Sequence, residues 1–403
     1  MTVNIQKSIA NGKISAPTSK SVAHRLLICA AMCRGESHIS GISSCEDVLA
    51  TIDCLRALGV KIDYDGECAI VSGIDFTKAQ ASDILKCRES GSTLRFLIPL
   101  ALLCGKDVCF NGTEKLISRP LDVYEDIAKT EGLLFEKKAD TIAIRGPLKA
   151  GEYKIPGNIS SQFITGMLFA LSALKEDSRI VITTSIESRS YIDLTVAAMA
   201  EFGVEVKWEN TTTLFIRGGQ DYVSSNVSVE GDFSGTAFIE AFNLLGGKVF
   251  IDGLNESSLQ GDKIYREHFK AINNGFCKID IDNYPDLGPI LFTLAAIKHG
   301  GYFTGTKRLK IKESDRAEAM REELRKFGAE LIIDDNSVTV EKCSLHTPTE
   351  QLCGHNDHRI VMSLAVICSY LGGKIEGCEA VKKSYPDFFK DIKTLGIDVY
   401  EIN

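Results

Sequence analysis

Two kinds of helical pattern alternate along the chain. In six segments, apolar residues recur on one face of a helix, a glycine ends the segment, and a short strand-like run follows. The closing glycines are Gly59, Gly132, Gly203, Gly275, Gly328 and Gly396. They lie 73, 71, 72, 53 and 68 residues apart. This spacing indicates an internal repeat of about seventy residues.

The second pattern is a polar turn followed by a helix that is apolar on every side. Its six markers are Ser21, Ser92, Ser161, Ser234, Asp286 and Asp357. Each marker precedes a closing glycine by 38 to 42 residues, so both patterns share one period. Helices that are apolar all round belong in a protein interior. The two series predict six α/β units, each with one buried helix, one half-exposed helix and intervening strands.

A polar Ser/Asn stretch separates the third unit from the fourth. Residues 223–231 read VSSNVSVEG, a composition typical of a linker. We therefore predict two domains of three units each, because 403 residues exceed the usual limit of about 250–300 for a single core. One large domain with accidental periodicity is the alternative.

Composition excludes several classes of protein. The chain carries 46 basic and 54 acidic residues, a net charge of −8, which argues against a nucleic-acid-binding surface. Residues 1–11 lack a basic start followed by an apolar run, so we expect no signal peptide. The thirteen cysteines include no Cys-x-x-Cys pair. Abundant unpaired thiols favour a reducing compartment, and we predict a cytoplasmic protein with no membrane span.

Common nucleotide and metal motifs are absent from the sequence. No two glycines stand two positions apart, which excludes the dinucleotide fingerprint and the kinase glycine loop. Cys353, His355 and His358 lie close in sequence but lack a familiar zinc spacing. We therefore predict no ATP or NAD chemistry of the common kinds and no metal at these residues.

The polar turns offer a different kind of binding site. A helix N-terminus presents unpaired N–H groups and a positive dipole end, which suit phosphate or carboxylate. The turns at 19–21 (SKS), 90–92 (SGS) and 160–162 (SSQ) place hydroxyls, an amide and a lysine there. For any one turn, ordinary N-capping is the alternative. Three such turns with cations nearby favour anion binding.

Nine segments resemble, in order, motifs of the 5-enolpyruvylshikimate-3-phosphate (EPSP) synthase family. They are APTSKSVAHR at 16–25, ESGSTLR at 89–95, SRP at 118–120, SSQF at 160–163, SRSYID at 188–193, YPD at 284–286, KESDR at 312–316, HNDHR at 355–359 and KSYPD at 383–387. The KESDR and NDHR segments are highly specific, whereas the serine-rich segments alone would be weak. The resemblance covers nearly the whole chain.

The resemblance implies a two-domain inside-out α/β fold with six βαβαββ repeats, three per domain. One domain would comprise residues 19–228, and the other, discontinuous domain would comprise 1–18 with 229–403. The substrate cleft would lie between them and would close on binding. The implied activity transfers the enolpyruvyl group of phosphoenolpyruvate to the 5-hydroxyl of shikimate-3-phosphate, releasing phosphate through a tetrahedral intermediate. This reaction of the shikimate pathway leads to chorismate and aromatic amino acids, needs no cofactor and is carried out by a monomer.

The resemblance also implies which residues bind the two substrates. Those for shikimate-3-phosphate are Lys20, Ser21, Arg25, Ser160, Ser161, Gln162, Ser188, Tyr191, Asp286 and Lys312. Those for phosphoenolpyruvate are Lys20, Gly91, Arg119, Gln162, Arg316, Arg359 and Lys383. Each phosphate carries about −1.5 to −2 at neutral pH, and each substrate adds a carboxylate. The lysines and arginines of the two sets would balance this charge.

Proton transfer is assigned by the same resemblance to two carboxylates. The methylene carbon must gain and later lose a proton, and the 5-hydroxyl must lose its own. Asp286 and Glu313 are the candidate catalytic groups, with Lys20 as a helper. For Glu313, a helix N-terminal charge is the alternative role.

Four positions depart from the family pattern. Glu89 stands where many members have asparagine, and its carboxylate would repel phosphoenolpyruvate unless Arg88, Arg95 or another cation pairs with it. Ser92 and Phe96 replace the more familiar threonine and proline, and Arg308 replaces an asparagine. Gly91 leaves room beside a small ligand, so the resemblance also implies glyphosate as a candidate inhibitor.

Three alternatives compete with this prediction. One is an RNA-end-processing enzyme with related repeats, which would need a basic nucleic-acid surface that the net charge of −8 argues against. The sister enzyme that transfers enolpyruvyl to UDP-N-acetylglucosamine typically has a loop cysteine, whereas GTEKLISRP at 112–120 has none. The third alternative is a non-catalytic anion-binding homologue. Intact Asp286, Glu313 and Arg359 argue against it.

Overall fold

Buried and half-exposed helices alternate along residues 1–402, which the computed structural model describes. The helices, α1 to α13 in chain order, are Lys20–Ala31, Glu46–Ala57, Gly91–Leu102, Glu114–Ser118, Asp122–Glu131, Ser161–Ser172, Arg189–Glu201, Phe233–Leu244, Tyr265–Asn274, Gly288–Ile297, Arg316–Arg325, His358–Leu371 and Phe388–Thr394. The predicted apolar helices are α1, α3, α6, α8, α10 and α12, and each buries most of its residues. The predicted amphipathic helices are α2, α5, α7, α9, α11 and α13.

All six closing glycines have positive φ angles, between 67° and 153°. Residues with a Cβ rarely adopt this conformation, whereas glycine adopts it freely at the end of a helix. The repeated glycine therefore has a physical cause: at the end of each amphipathic helix, the backbone needs a residue that can adopt a positive φ angle.

Short strands connect the helices. In chain order, β1 to β22 are Thr2–Ile5, Asn11–Ser15, Glu36–Ser40, Lys61–Tyr64, Ala69–Ser72, Leu85–Lys86, Asp107–Asn111, Leu134–Lys137, Thr141–Arg145, Glu152–Ile155, Ser178–Ile182, Val206–Trp208, Thr213–Ile216, Asn226–Ser228, Lys248–Asp252, Cys277–Asp280, Gly301–Thr304, Leu331–Ile333, Ser337–Val340, Leu352–Cys353, Gly373–Glu376 and Val399–Ile402. The described part of the chain also contains five 3-10 helices: Phe76–Lys78, Gly261–Ile264, Pro285–Leu287, Lys307–Ile311 and Cys378–Lys383.

These residues divide into two units, which we call the 18–230 unit (Thr18–Glu230) and the discontinuous unit (Met1–Pro17 with Gly231–Asn403). The 18–230 unit has three four-stranded sheets, with strand orders β14-β3-β5-β4, β6-β7-β9-β8 and β10-β11-β13-β12. Each combines a parallel pair with an antiparallel hairpin. The apolar helices α1, α3 and α6 fill its core, where Leu27, Leu97 and Leu168 are fully buried.

The discontinuous unit has its own core and three sheets of its own. Their strand orders are β16-β17-β19-β18, β20-β21-β1-β22 and β15-β2. Helices α8, α10 and α12 supply the fully buried Phe238, Leu291 and Leu364. Strand β1 lies between β21 and β22 and is antiparallel to both.

The short fourth interval corresponds to a missing hairpin. After α2, α5, α7 and α11, the chain forms two antiparallel strands, whereas after α9 it enters β16 directly. The fourth unit has only the two-stranded sheet β15-β2. Six repeats of an α/β unit, as predicted, are therefore confirmed, with the fourth shortened. None of the helices within residues 1–402 has both the length and the apolar character needed to cross a bilayer.

Candidate functional site

Three serine-capped helix N-termini carry predicted anion-binding residues in the 18–230 unit. Ser19 caps α1, Ser90 caps α3 and Ser160 caps α6, and each side chain accepts a hydrogen bond from a backbone N–H in the first turn of its helix. The capping alternative therefore describes what these three hydroxyls do. A single cap leaves other first-turn N–H groups without a helical partner, so the turns still suit an anion.

Lys20, the first residue of α1, forms an ion pair with Asp47 in the first turn of α2. The distance from Nζ to Asp47 Oδ2 is 2.8 Å, and the two side chains are only 16% and 11% exposed. This carboxylate holds the lysine in one place at low solvent exposure. The sequence analysis did not identify Asp47, because an acidic residue at a helix start is usually a solvated dipole partner.

Arg25 brings together two other predicted residues of the shikimate-3-phosphate set. Its guanidinium donates to the backbone oxygens of Ser21 (2.6 Å) and Tyr191 (2.9 Å) and to Thr195 Oγ1 (2.9 Å). Its Cζ lies 5.3 Å from the ring centroid of Phe96 and 5.9 Å from that of Tyr191. Burial lowers the pKa of Arg25 to about 10. Because its hydrogen-bond partners are neutral, a bound anion would stabilise the charged form.

Gly91, at the start of α3, lies beside two arginines and a glutamine. A Cβ at this position would be 3.1 Å from Arg119 Nη1, 3.6 Å from Arg95 Nη1 and 3.8 Å from Gln162 Oε1. Gln162 accepts from Arg95 Nη1 (2.7 Å) and donates to Ser92 Oγ (3.0 Å). Three members of the phosphoenolpyruvate set, Gly91, Arg119 and Gln162, therefore lie together. Arg95, which the sequence analysis considered only as a partner of Glu89, orients the glutamine.

The other positions of interest in this unit have more local roles. Arg88 forms an ion pair with Asp53 at 2.7 Å, so one of the cations considered for Glu89 is engaged there. Phe96 is buried in the core, with edge contacts to His24 and Phe169. The remaining predicted residues are both buried, Ser161 as the first residue of α6 and Ser188, with a φ of 56°, before α7.

If phosphoenolpyruvate binds beside Gly91, as the resemblance implies, Gly91→Ala is expected to raise its KM by about tenfold, because one added methyl is comparable to the methylene differences that pockets discriminate. The methyl would crowd the end of a flexible arginine side chain, and alanine favours a helix. The free energy of unfolding should therefore stay equal or rise by up to about 1 kcal/mol. Steady-state kinetics and urea unfolding test this. A KM within twofold of the unmodified protein would contradict the placement of the ligand beside Gly91.

A buried arginine organises the candidate residues of the discontinuous unit. Arg316 begins α11 and is 1% exposed. It contacts Asp286 Oδ1 at 2.8 Å, Glu313 Oε2 at 2.6 Å and Asp357 Oδ2 at 2.8 Å. Burial alone would lower the pKa of Arg316, but Asp357, Glu313 and Asp286 together raise it above its usual range. Arg316 in turn outweighs the burial of Asp357 and lowers the pKa of that carboxyl.

Asp286, in the 3-10 turn before α10, contacts two further cations. Lys312 Nζ lies 3.2 Å from Oδ1, and Arg359 Nη2 lies 3.0 Å from Oδ2. Arg359 Nη1 also donates to the Asp286 backbone oxygen at 3.2 Å. Burial lowers the pKa of Lys312 and outweighs the opposing attraction of Asp286. Five predicted residues, Asp286, Lys312, Glu313, Arg316 and Arg359, thus form one charged cluster.

Lys383 and Arg308 complete the description of this unit. Lys383 Nζ donates to the backbone oxygen of Asn356 at 2.6 Å, in the turn just before Asp357. That turn connects the lysine to the charged cluster. Arg308 is buried and donates to the backbone oxygen of Asp282, which gives this departure from the family pattern a structural contact.

Comparison with known proteins assigns the family. A sequence model described as EPSP synthase (3-phosphoshikimate 1-carboxyvinyltransferase) matches residues 5–392. Curated proteins named 3-phosphoshikimate 1-carboxyvinyltransferase include one from Clostridium kluyveri, 39% identical with 99% of this chain and 98% of its own length covered. Another, from Clostridium botulinum strain Eklund 17B, is 39% identical, and the match covers 100% of this chain and 99% of that protein.

Solved structures show the same fold at low sequence identity. An EPSP synthase from Acinetobacter baumannii has a TM-score of 0.79 at 22% identity, with 99% of this chain and 100% of that chain covered. The enolpyruvyl transferase NikO from Streptomyces tendae has a TM-score of 0.80 at 13% identity, covering 99% and 98%. The predicted enolpyruvyl transferase fold is confirmed. With the family match over nearly the whole length and relatives near 39% identity, the chain belongs to the EPSP synthase (3-phosphoshikimate 1-carboxyvinyltransferase) family.

Proposed function

We propose that this protein transfers the enolpyruvyl group of phosphoenolpyruvate to the 5-hydroxyl of shikimate-3-phosphate and releases phosphate. This is a step of the shikimate pathway, which supplies aromatic amino acids. The observation that carries the proposal is the cluster in which Asp286 contacts Lys312, Arg316 and Arg359. It combines a carboxylate for proton transfer with cations for anionic substrates. Curated relatives near 39% identity carry the corresponding name.

The reaction proceeds by addition and then elimination. The 5-hydroxyl oxygen forms a bond to C2 of phosphoenolpyruvate, the hydroxyl loses its proton, and the methylene carbon C3 gains one. In the tetrahedral intermediate, the bond between C2 and the phosphate oxygen then breaks, phosphate leaves, and C3 gives up a proton. No net oxidation occurs, so the protein has to bind two anions, orient them and move protons.

Arg25 supports the shikimate-3-phosphate assignment in the 18–230 unit. Its charge is buried with neutral partners, and it lies beside Tyr191 and the start of α1. An anionic phosphate there would offset the cost of burying that charge. We assign Lys20, Ser21, Ser160, Ser161, Gln162 and Ser188 to the same ligand, together with Asp286 and Lys312 of the discontinuous unit.

Phosphoenolpyruvate is assigned to residues from both units. In the 18–230 unit, the assigned residues are Gly91, Arg119 and Gln162. The glycine has no side chain and leaves space next to the Arg119 guanidinium. Arg359 and Lys383 supply further cations, and Lys20 is proposed to touch both ligands. Because Arg316 is 1% exposed and faces three carboxylates, we assign it an indirect part in binding. It fixes the charge and direction of Asp286 and Glu313.

Asp286 and Glu313 are proposed to move the protons. Arg316 contacts both carboxylates, and a cation at that distance favours the ionised form, which is the form a base requires. We assign Asp286 to the 5-hydroxyl proton and Glu313 to the methylene carbon. Lys20, held by Asp47, is proposed to assist as a helper charge.

The test is phosphate release from phosphoenolpyruvate by purified protein, with and without shikimate-3-phosphate, and with UDP-N-acetylglucosamine as the control acceptor. Release that requires shikimate-3-phosphate is the expected result. Release only with the nucleotide sugar would reassign the chain to the sister activity. Folded protein that releases no phosphate with either acceptor would refute catalysis and support an anion-binding homologue.

We further propose that the protein acts as a monomer in the cytoplasm. All thirteen cysteines are free, which suits a reducing compartment. Light scattering should give the mass of one chain at micromolar concentration. A mass of two chains or more would refute the monomer.

A further inference from the structure

The turn before α12 has an unusual backbone conformation. Between β20 and α12, two consecutive residues that are not glycine, His355 and Asn356, have φ angles of 48° and 50°. L-residues populate this left-handed region sparsely, and such conformations persist where the surrounding structure holds them. A specific set of contacts must therefore fix this turn.

A buried carboxylate from α11 supplies those contacts. Glu323 is 0% exposed, and its Oε1 lies 3.0 Å from His355 Nε2. Its Oε2 accepts the backbone N–H of Cys353 at 2.9 Å. Lys326, the residue just after α11, contacts both carboxylate oxygens, at 2.9 and 3.0 Å, and donates to the Gln351 backbone oxygen at 3.1 Å. One carboxylate thus binds the strand before the turn and the first left-handed residue within it.

The contacts of this carboxylate shift the pKa values of both Glu323 and His355. Burial would raise the pKa of Glu323, but hydrogen bonds from His355, Lys326 and Cys353 outweigh it and lower the pKa. The hydrogen bond to Glu323 in turn raises the pKa of His355. An ionised carboxylate with three donors is a strong and directional anchor.

The residues that follow in the turn contact the candidate active-site groups. The backbone oxygen of Asn356 accepts from Lys383 Nζ at 2.6 Å. Asp357 accepts from Arg316 Nε at 2.8 Å and caps α12 by accepting the backbone N–H of Arg359 at 2.9 Å. A shift of the turn would therefore move the partners of Lys383 and Arg316 and the start of the helix that carries Arg359.

A divalent cation is the competing explanation for this cluster. Ligand atoms of Glu322, Glu323 and His355 lie within 4.8 Å of one another. However, the Lys326 ammonium already contacts both oxygens of Glu323, and it would repel a metal ion. Nothing else in the cluster points to a bound ion.

We propose that Glu323 and His355 are positioning residues for enolpyruvyl transfer, because they hold the left-handed turn that sets the place of Lys383, Arg316 and Arg359. Neither residue belongs to the predicted binding or catalytic sets. The proposal rests on the proposed function and adds to it a specific support for the phosphoenolpyruvate side of the site.

The test compares His355→Ala with His355→Gln, whose amide can still donate to Glu323. His346→Ala is the matched control, since His346 is an exposed histidine of the same unit. For His355→Ala, we expect the KM for phosphoenolpyruvate to rise about tenfold, as expected when cations shift by a fraction of an ångström. The KM for shikimate-3-phosphate should stay within about twofold. His355→Gln should recover most of the loss, and His346→Ala should match the unmodified enzyme.

Hydrogen exchange over residues 353–359 provides a readout that does not depend on turnover. Exchange should be faster in His355→Ala than in the unmodified protein and the two other variants. A merely structural role would reduce the active fraction, and so kcat, and leave the KM for phosphoenolpyruvate unchanged. An active enzyme whose KM or exchange is unaffected in His355→Ala would overturn the positioning role alone. An unmodified protein that releases no phosphate would instead refute the proposed function.

Discussion

Asp286→Asn should lower kcat by about 10²- to 10⁴-fold, the range expected for loss of a positioned general base. Asparagine has nearly the same shape as aspartate and can still accept hydrogen bonds, but it cannot take a proton at neutral pH. Lys312, Arg316 and Arg359 would also lose the carboxylate that they share. Phosphate release under saturating substrates measures the effect.

Asp335→Asn is the matched control for this substitution. Asp335 is an exposed aspartate of the same unit and lies 3.8 Å from Lys307 and from Lys310. Its replacement should leave kcat unchanged. Turnover within threefold of normal in Asp286→Asn, with the protein folded, would contradict a base role for Asp286 and transfer that role to Glu313.

Arg316→Met should lower the free energy of unfolding by about 3–5 kcal/mol, the usual effect of removing one partner from a buried ion pair. Methionine replaces much of the side-chain volume, so the lost charge is the main change. The largest cost arises at Asp357, which is 0% exposed and loses its contact with Arg316. Asp286 is 23% exposed and keeps Lys312 and Arg359.

The loss of folding stability in Arg316→Met should become smaller as the pH falls. The folded-state pKa of Asp357 lies below its ordinary value because Arg316 offsets its burial. The pair therefore contributes stability above the unfolded pKa of about 3.9, and this contribution disappears as pH falls through the folded value. The difference between the two proteins should be full at pH 7 and shrink below about pH 4. A difference that grows in acid would contradict this account.

Arg321→Met on the same helix is the control for charge removal. Arg321 is 50% exposed and pairs with Glu318 one turn before it. Exposed pairs contribute little, so the change should stay within about 0.5 kcal/mol. Urea unfolding at one protein concentration compares all three proteins.

The repeat architecture was predictable from the sequence because its causes are local. A glycine is needed where each amphipathic helix ends, and an apolar surface is needed where a helix is buried on every side. The position of β1 between β21 and β22 could not be predicted in this way, because this pairing joins residues 2–5 to residues 373–376 and 399–402. Periodicity carries no information about such a pairing, and the resemblance to a family implied only that residues 1–18 join 229–403 in one domain.

The candidate site was predictable as a set of residues and less so as a set of contacts. The sequence identified Asp286, Glu313 and Arg316, but the sharing of one guanidinium among three carboxylates depends on tertiary packing. Asp47 and Glu323 were missed for a related reason. Each is an acidic residue on an amphipathic helix, and Glu323 has a lysine three positions later, a pattern that usually marks a solvated surface pair.

The place of β1 and β2 bears on how the chain folds during its synthesis. Every strand of the three sheets in the 18–230 unit comes from residues 36–228, so that unit can fold once its own segment has emerged. Strand β2 must wait for residues 248–252, and β1 for residues 373–376 and 399–402. Strands β1 and β2 are thus synthesised before the 18–230 unit but find their partners after it, and a nascent chain that ends before residue 373 presents β1 with no strand on either side.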